Sequence, residues 1–174
     1  MYVHDLILIS PSVTESQPML DLCGSELALI DIKLNSKKLN AVRIGNRFKI
    51  DCVKLRVLNE TIEWVSEAKY LRVYILSGLY FKCNFTQVKI KFYRAANAIS
   101  ATTGNKDNST VTIQLMTAIA LPILTYALEA LALNKTEIIS LEHPWTRCFE
   151  KVFNTFDKLV VNNCQAYLGL LPIK

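Results

Sequence analysis

Residues 69–99 read KYLRVYILSGLYFKCNFTQVKIKFYRAANAI, and the spacing of their apolar side chains changes part-way along. Lys69 to Leu76 is dense in β-branched and aromatic residues, which suit a strand on a pleated, half-buried surface. From Asn84 the apolar positions become Phe85, Val88, Phe92, Ala95 or Ala96, and Ile99, steps of three and four that line one face of a helix. The change of period predicts an α+β chain, strands before it and helices after it.

Working back towards the N-terminus, Ala41 to Ile44, Val53 to Leu58 and Thr61 to Val65 read as further strands of a meander, with a turn at Asn59-Glu60. Leu6 to Ile9 is a short apolar run stopped by Ser10-Pro11, which predicts a buried strand. A helix is expected between them. Ser12 with Glu15, or Thr14 with Gln17, forms a capping box, and Leu20, Cys23, Leu27, Ile30 and Leu34 share one face. Pro18 and Gly24 lie inside it, where they cost about 3 and 1 kcal/mol, so this helix depends on packing more than on propensity.

Working forward, TTGNKDNS at Thr102 to Ser109 is a loop, and everything beyond it reads as helix. Expected are Thr110 to about Leu133 with a kink at Pro122, then a helix to Phe153 capped by Asn134 with Glu137 in the reciprocal position, then a short one ending at Gly169. Val111 to Leu128 is a stretch of eighteen residues without a charge, long enough to span a membrane. Thr112, Gln114, Thr117, Pro122 and Thr125 dilute it and no Lys or Arg closely flanks it, so a buried bundle helix is the preferred reading and no membrane partner is expected.

At 174 residues the chain suits one domain or two small subdomains, and 51% hydrophobic with 20% charged residues excludes intrinsic disorder. The five cysteines are odd in number and far apart, with no C-x-x-C pair, which argues against a zinc knuckle or a disulfide framework. They read as reduced thiols of an intracellular protein, in cytoplasm or nucleus. The Asn-x-Ser/Thr triplets at Asn59, Asn84, Asn108 and Asn134 are then chance matches, because no basic stretch followed by an apolar one opens the chain.

Net charge is +5, unevenly spread. Residues 1–32 hold five acids and no Lys or Arg, residues 33–94 hold fourteen basic and four acidic residues, and residues 95–174 hold six of each. A basic stretch interleaved with Phe48, Trp64, Tyr70, Tyr74, Phe81, Phe92 and Tyr93 suits a polyanion: phosphates need cations, and exposed bases need flat faces to stack on. A solvated face of Lys and Arg explains the same pattern without any ligand.

Four blocks in order carry a resemblance: YVHD at Tyr2 to Asp5, LALIDIKLNSKK at Leu27 to Lys38, YLRVYI at Tyr70 to Ile75 and LPILTYALEA at Leu121 to Ala130. Over essentially the whole chain they resemble the back half of a reverse transcriptase of the non-LTR retrotransposon type. The resemblance implies a partial palm sheet with one packed helix at residues 1–80, an all-helical thumb at 81–174, and descent from an RNA-directed DNA polymerase.

The family pattern at Tyr2 to Asp5 is Tyr-x-Asp-Asp, so His4 stands where the first catalytic aspartate is implied. In that family this acid holds Mg2+ together with an aspartate from an upstream strand, and two metals stabilise the attacking and leaving oxygens. Magnesium demands hard oxygen ligands, whereas a neutral imidazole brings nitrogen and no charge. Asp5 matches the second acid and is the remaining metal ligand. Lys38 matches a lysine implied to lie near the leaving pyrophosphate. His4, Asp5 and Lys38 are thus the implied catalytic positions, and Mg2+ the implied cofactor, not held productively. With the chain beginning at Met1, the upstream strand and fingers are read as absent.

The hairpin implied to grip the primer carries Arg72 in place of the family's glycine. Charge and resemblance together name Lys37, Lys38, Lys69, Tyr70, Arg72, Lys89 and Lys91 as nucleic-acid contacts, weak and non-specific. The expected function is a catalytically inactive polymerase fragment. The alternatives are a residual single-strand-binding module using residues 33–94 and a membrane-associated helical protein. His143 and Cys148 are five residues apart, off the spacing that puts two ligands on one helix face, so His143 reads as structural, as does His4 apart from the motif.

Overall fold

The computed structural model describes residues 5–32, 34–35, 38–57, 60–103 and 109–170. The fold is mixed α+β, and the chain divides into two compact units, Met1–Asn84 and Phe85–Lys174.

The first unit begins with an irregular segment. Leu6 to Ile9 form no strand among the described residues, and all four side chains are exposed, contrary to the expected buried strand. A strand needs a neighbour to take its backbone N–H and C=O groups, and a four-residue apolar run has no period that separates it from irregular chain. Helix α1 follows at Val13–Leu29, capped by Ser12, whose hydroxyl accepts from the Glu15 N–H at 3.2 Å. Gln17 belongs to no cap. Its side-chain amide donates to the Arg56 carbonyl at 2.8 Å and its oxygen accepts from the Arg56 N–H at 2.9 Å. Of the predicted apolar face only Leu20 is buried; the helix stops at Leu29, so Ile30 and Leu34 lie beyond it, and Asp31 at φ +55 turns the chain away.

Strands β1 (Leu55–Val57) and β2 (Glu60–Ile62) pair antiparallel, Leu55 opposite Ile62 and Val57 opposite Glu60. The predicted turn falls differently: Asn59 lies outside the described residues, and Glu60 is already a paired strand residue. Leu55, Val57 and Ile62 close on Leu20, with Val13, Leu34, Leu39, Ala41 and Trp64 around them. Ala41 to Ile44 is not a strand; it makes isolated parallel bridges, Ala41 to Trp64 and Ile44 to Gly78.

The stretch Lys69 to Leu76, which its residues read as one strand and the resemblance as a hairpin, is a hairpin. Strand β3 (Glu67–Tyr70) turns at Leu71-Arg72 into β4 (Val73–Leu76), and β5 (Lys82–Asn84) completes a three-stranded antiparallel sheet in the order β3-β4-β5. Leu71 and Arg72 sit at φ +44 and +68. Two positive φ values make the turn whose twist matches paired strands, usually written Asn-Gly, and Leu-Arg gives no such signal.

The second unit is helical. Helix α2 (Thr86–Thr103) buries Phe92, Ala96 and Ile99, the face its spacing predicts. Thr102 and Thr103 are its last residues rather than the start of the loop, and their hydroxyls donate to the carbonyls of Ala98 and Ile99. Then come α3 (Ser109–Leu115), a π-helical turn (Met116–Ala120) and α4 (Leu121–Thr125). Pro122 sits in the first turn of α4, directly after the widened turn, where the Leu121 N–H reaches back to the Met116 carbonyl. A prolyl nitrogen has no hydrogen to give, and a one-residue shift of the ladder absorbs the interruption. The helix predicted to Leu133 ends at Thr125, with Ala127 at φ +62.

Helix α5 (Lys135–Phe153) starts from a complete capping box, Asn134 and Glu137 exchanging hydrogen bonds of 2.9 Å. Helix α6 (Lys158–Tyr167) ends at Gly169, φ +65, with the Leu170 N–H on the Gln165 carbonyl at 2.9 Å and the Gly169 N–H on Ala166 at 3.0 Å. These are the paired bonds of a left-handed helix stop, which glycine adopts without strain. The core joins Phe92, Met116, Leu124, Leu141, Trp145, Phe149 and Val161, and Trp145 stands edge-on to Phe92 and Phe149, centroids 6.4 and 5.0 Å apart.

Candidate nucleic-acid interface

Of the residues implied in catalysis, Asp5 and Lys38 lie among the described residues. His4 lies outside them. Asp5 is exposed in irregular chain. Lys38 is exposed in a tight turn, its N–H donating to the Asn35 carbonyl at 2.9 Å and its own carbonyl accepting from Asn40 at 3.3 Å. Among the described residues no group of three or more His, Cys, Asp or Glu side chains could hold a metal ion. Magnesium needs several convergent oxygens, and the described residues bring no such group of carboxylates together.

Lys37 also lies outside the described residues. Lys69, Tyr70 and Arg72 fall together at the tip of the β3–β4 hairpin, with Lys69 opposite Tyr74 and Tyr70 opposite Val73. Lys69 and Arg72 are exposed and Tyr70 is half-buried. That brings two cations and an aromatic ring to one strand end.

Lys89 and Lys91 are not brought together. Two residues on a helix are about 200° apart, and each faces its own surroundings. Lys89 donates from Nζ to Ser140 Oγ on α5, whereas Lys91 is exposed beside Arg94.

Other members of the basic stretch are engaged within the fold. The Arg43 guanidinium lies 5.2 Å from the Trp64 ring centre, with Nη1 on the Ile50 carbonyl and 3.2 Å from Cys52 Sγ. Lys54 pairs with Glu63 at 2.6 Å, and with both side chains over half exposed the pair contributes about 0–1 kcal/mol.

Sequence reasoning missed a second group, where α5 lies alongside α2. His143, Arg147 and Lys151 recur every four residues on α5, and Lys151 Nζ donates to Asn97 on α2 at 3.1 Å. Arg147 is paired with Glu150 at 2.9 Å. A groove of about 350 Å³ opens here, lined by Lys89, Tyr93, Thr136, Ile139, Ser140, His143 and Pro144. Burial pushes the Tyr93 phenol up, reinforced by the Cys148 and Glu150 charges and opposed by Arg147. Charge counted along the chain hides this group, because acids elsewhere in residues 95–174 cancel it. The four-residue step on α5 was the available signal.

Burial also pushes the Cys148 thiol up to about 11, so at neutral pH it is a protonated core side chain rather than a nucleophile. None of the five cysteines forms a disulfide. The apolar segment Ser109–Ala130 has a mean hydropathy of 1.8, long and apolar enough to cross a membrane by composition. Ile113, Met116, Ala120 and Leu124 on it are buried in the helical core, and Val111, Leu115, Ile119 and Tyr126 are exposed.

No family model, no curated protein and no solved structure matches the chain.

Proposed function

We propose that the chain is a palm-and-thumb portion of a retrotransposon-type reverse transcriptase, a partial palm sheet at residues 1–80 and a helical thumb at 81–174, inactive by itself in polymerisation and binding nucleic acid weakly through its cations. The observation that carries this reading is Arg72. The resembled pattern has glycine at this place, and the backbone there holds φ +68, a state that glycine takes freely and an L side chain takes at a cost. A turn that still asks for glycine is what a sequence descended from the glycine-bearing pattern would keep.

The exposed cations at the hairpin tip support phosphate contact, which is independent of sequence and asks only for accessible charge. Cysteines without disulfides fit an intracellular setting. The membrane alternative has less support, because the apolar segment already spends four side chains on the helical core.

Primer extension tests the inactivity. With a primed RNA or DNA template and either Mg2+ or Mn2+, no template-directed incorporation is expected from the purified chain, and His4→Asp is expected not to restore it, because further carboxylates are still required. Incorporation by the unaltered chain overturns the inactivity.

A further inference from the structure

We propose that the groove between α2 and α5 binds one nucleotide of a single strand, its base against Tyr93 and Ile139 and its phosphate on Lys89. The inference rests on the nucleic-acid reading above and gives it a site outside the hairpin and half outside the basic stretch.

The groove of about 350 Å³ is at the small end of ligand clefts, large enough for one nucleotide and too small for a duplex. Its walls join an exposed apolar side chain, Ile139, with Pro144 buried behind it, to an aromatic ring, an ammonium group and the hydroxyls of Thr136 and Ser140. Few polar groups set in a mostly apolar wall are the usual make-up of a small-molecule site.

Each polar group has a reason to be where it is. Lys89 Nζ donates to Ser140 Oγ, which holds the ammonium at the groove and leaves it two further N–H donors for an anion. Pro144 lies inside α5 and has no N–H to give to the Ser140 carbonyl one turn earlier. Tyr93 stands one turn beyond Lys89 on α2, partly exposed, with its neighbour Phe92 edge-on at 5.6 Å. A planar ring carrying a phosphate uses the aromatic face and the ammonium together, whereas an acidic peptide uses only the cation.

Beyond the groove the same seam continues as Arg147 and Lys151, spaced from His143 in steps of about 6 Å along α5. An extended single strand repeats its phosphates at a comparable distance. The seam thus offers cations to the nucleotides on one side of the bound one, although Glu150 offsets Arg147.

The test uses the full chain and two probes. Adenosine monophosphate is titrated while amide resonances are followed, and a labelled single-stranded oligonucleotide is titrated by fluorescence anisotropy at low salt. The variants are Lys89→Gln and Ile139→Glu, the latter at an exposed position and introducing a carboxylate beside the phosphate, with Lys69→Gln at the hairpin as comparison; unchanged thermal unfolding establishes that each is folded.

Shifts clustered at residues 136–144 with the mononucleotide, and a loss of oligonucleotide affinity of about tenfold in both groove variants, support the proposal. Oligonucleotide binding that both groove variants leave unchanged overturns the groove and leaves the nucleic-acid reading standing. Mononucleotide binding in the groove without oligonucleotide binding supports the groove and counts against the wider reading. Absence of binding to either probe overturns both, and a groove that takes an acidic peptide in preference to the mononucleotide overturns the assignment of ligand.

Discussion

Arg72 holds a left-handed backbone at the tip of the β3–β4 hairpin, a conformation that costs an L residue about 1–2 kcal/mol. Glycine gives back part of that advantage through its freer unfolded chain, about 0.5–1 kcal/mol. Arg72→Gly should therefore raise stability by about 1 kcal/mol, read as a higher urea midpoint at an unchanged slope; a lower midpoint would show that the turn is not the one described. Cys148 gives a second test at this scale. Its folded-state value, about 11, lies above that of the unfolded thiol, so the protonated form is the one that folding favours. Its contribution is complete below about pH 8.5, the ordinary thiol range, and is lost as pH rises through about 11. Thermal unfolding should fall over that window, and Cys148→Val, which removes the thiol at similar volume, should make the fall shallower. At this scale the sequence was legible where a side chain acts locally: Asn134 with Glu137 and Gly169 stop or start helices by their own hydrogen bonds or backbone freedom. Leu71-Arg72 was illegible because the strand pairing imposes a conformation that neither side chain prefers.

Among the elements, α1 and α5 stand at opposite ends of a range. α1 has Pro18 in its interior and buries one side chain, Leu20, with Gln17 fastening it to Arg56. α5 begins from a full capping box and buries Leu141, Trp145, Cys148 and Phe149. Amides of α1 should exchange with solvent well before those of α2 and α5, since local opening follows buried contacts; equal protection would contradict this. Asn134→Ala should cost about 1 kcal/mol and Trp145→Ala about 3–5 kcal/mol by denaturant unfolding. α2 was readable because its apolar residues repeat at helical steps, and α5 because Asn134 and Glu137 announce its start. The segment after Ser109 was readable as helix but not in its end, since apolar residues continue past Thr125 while the chain breaks at Ala127 without a Gly or Asn to announce it. Leu6 to Ile9 misled for the opposite reason, an apolar run with no partner strand among the described residues.

For the whole molecule, the mixed α+β class was visible from the change of period near Asn84. The candidate interface was visible only in part. Charge along the chain pointed to residues 33–94, yet folding engages Arg43 and Lys54 internally, turns Lys89 and Lys91 to different faces, and sets Lys151 beside Asn97. Those placements depend on which helices lie side by side, and no count along a sequence contains that. The central claim, that this chain holds nucleic acid through its cations, is tested most directly by the affinity for a labelled single strand across a salt series. Each phosphate engaged contributes about −0.7 to the slope of log affinity against log salt, so three to six contacts predict a slope of about −2 to −4. An affinity indifferent to salt, or no binding even at low salt, would contradict the account.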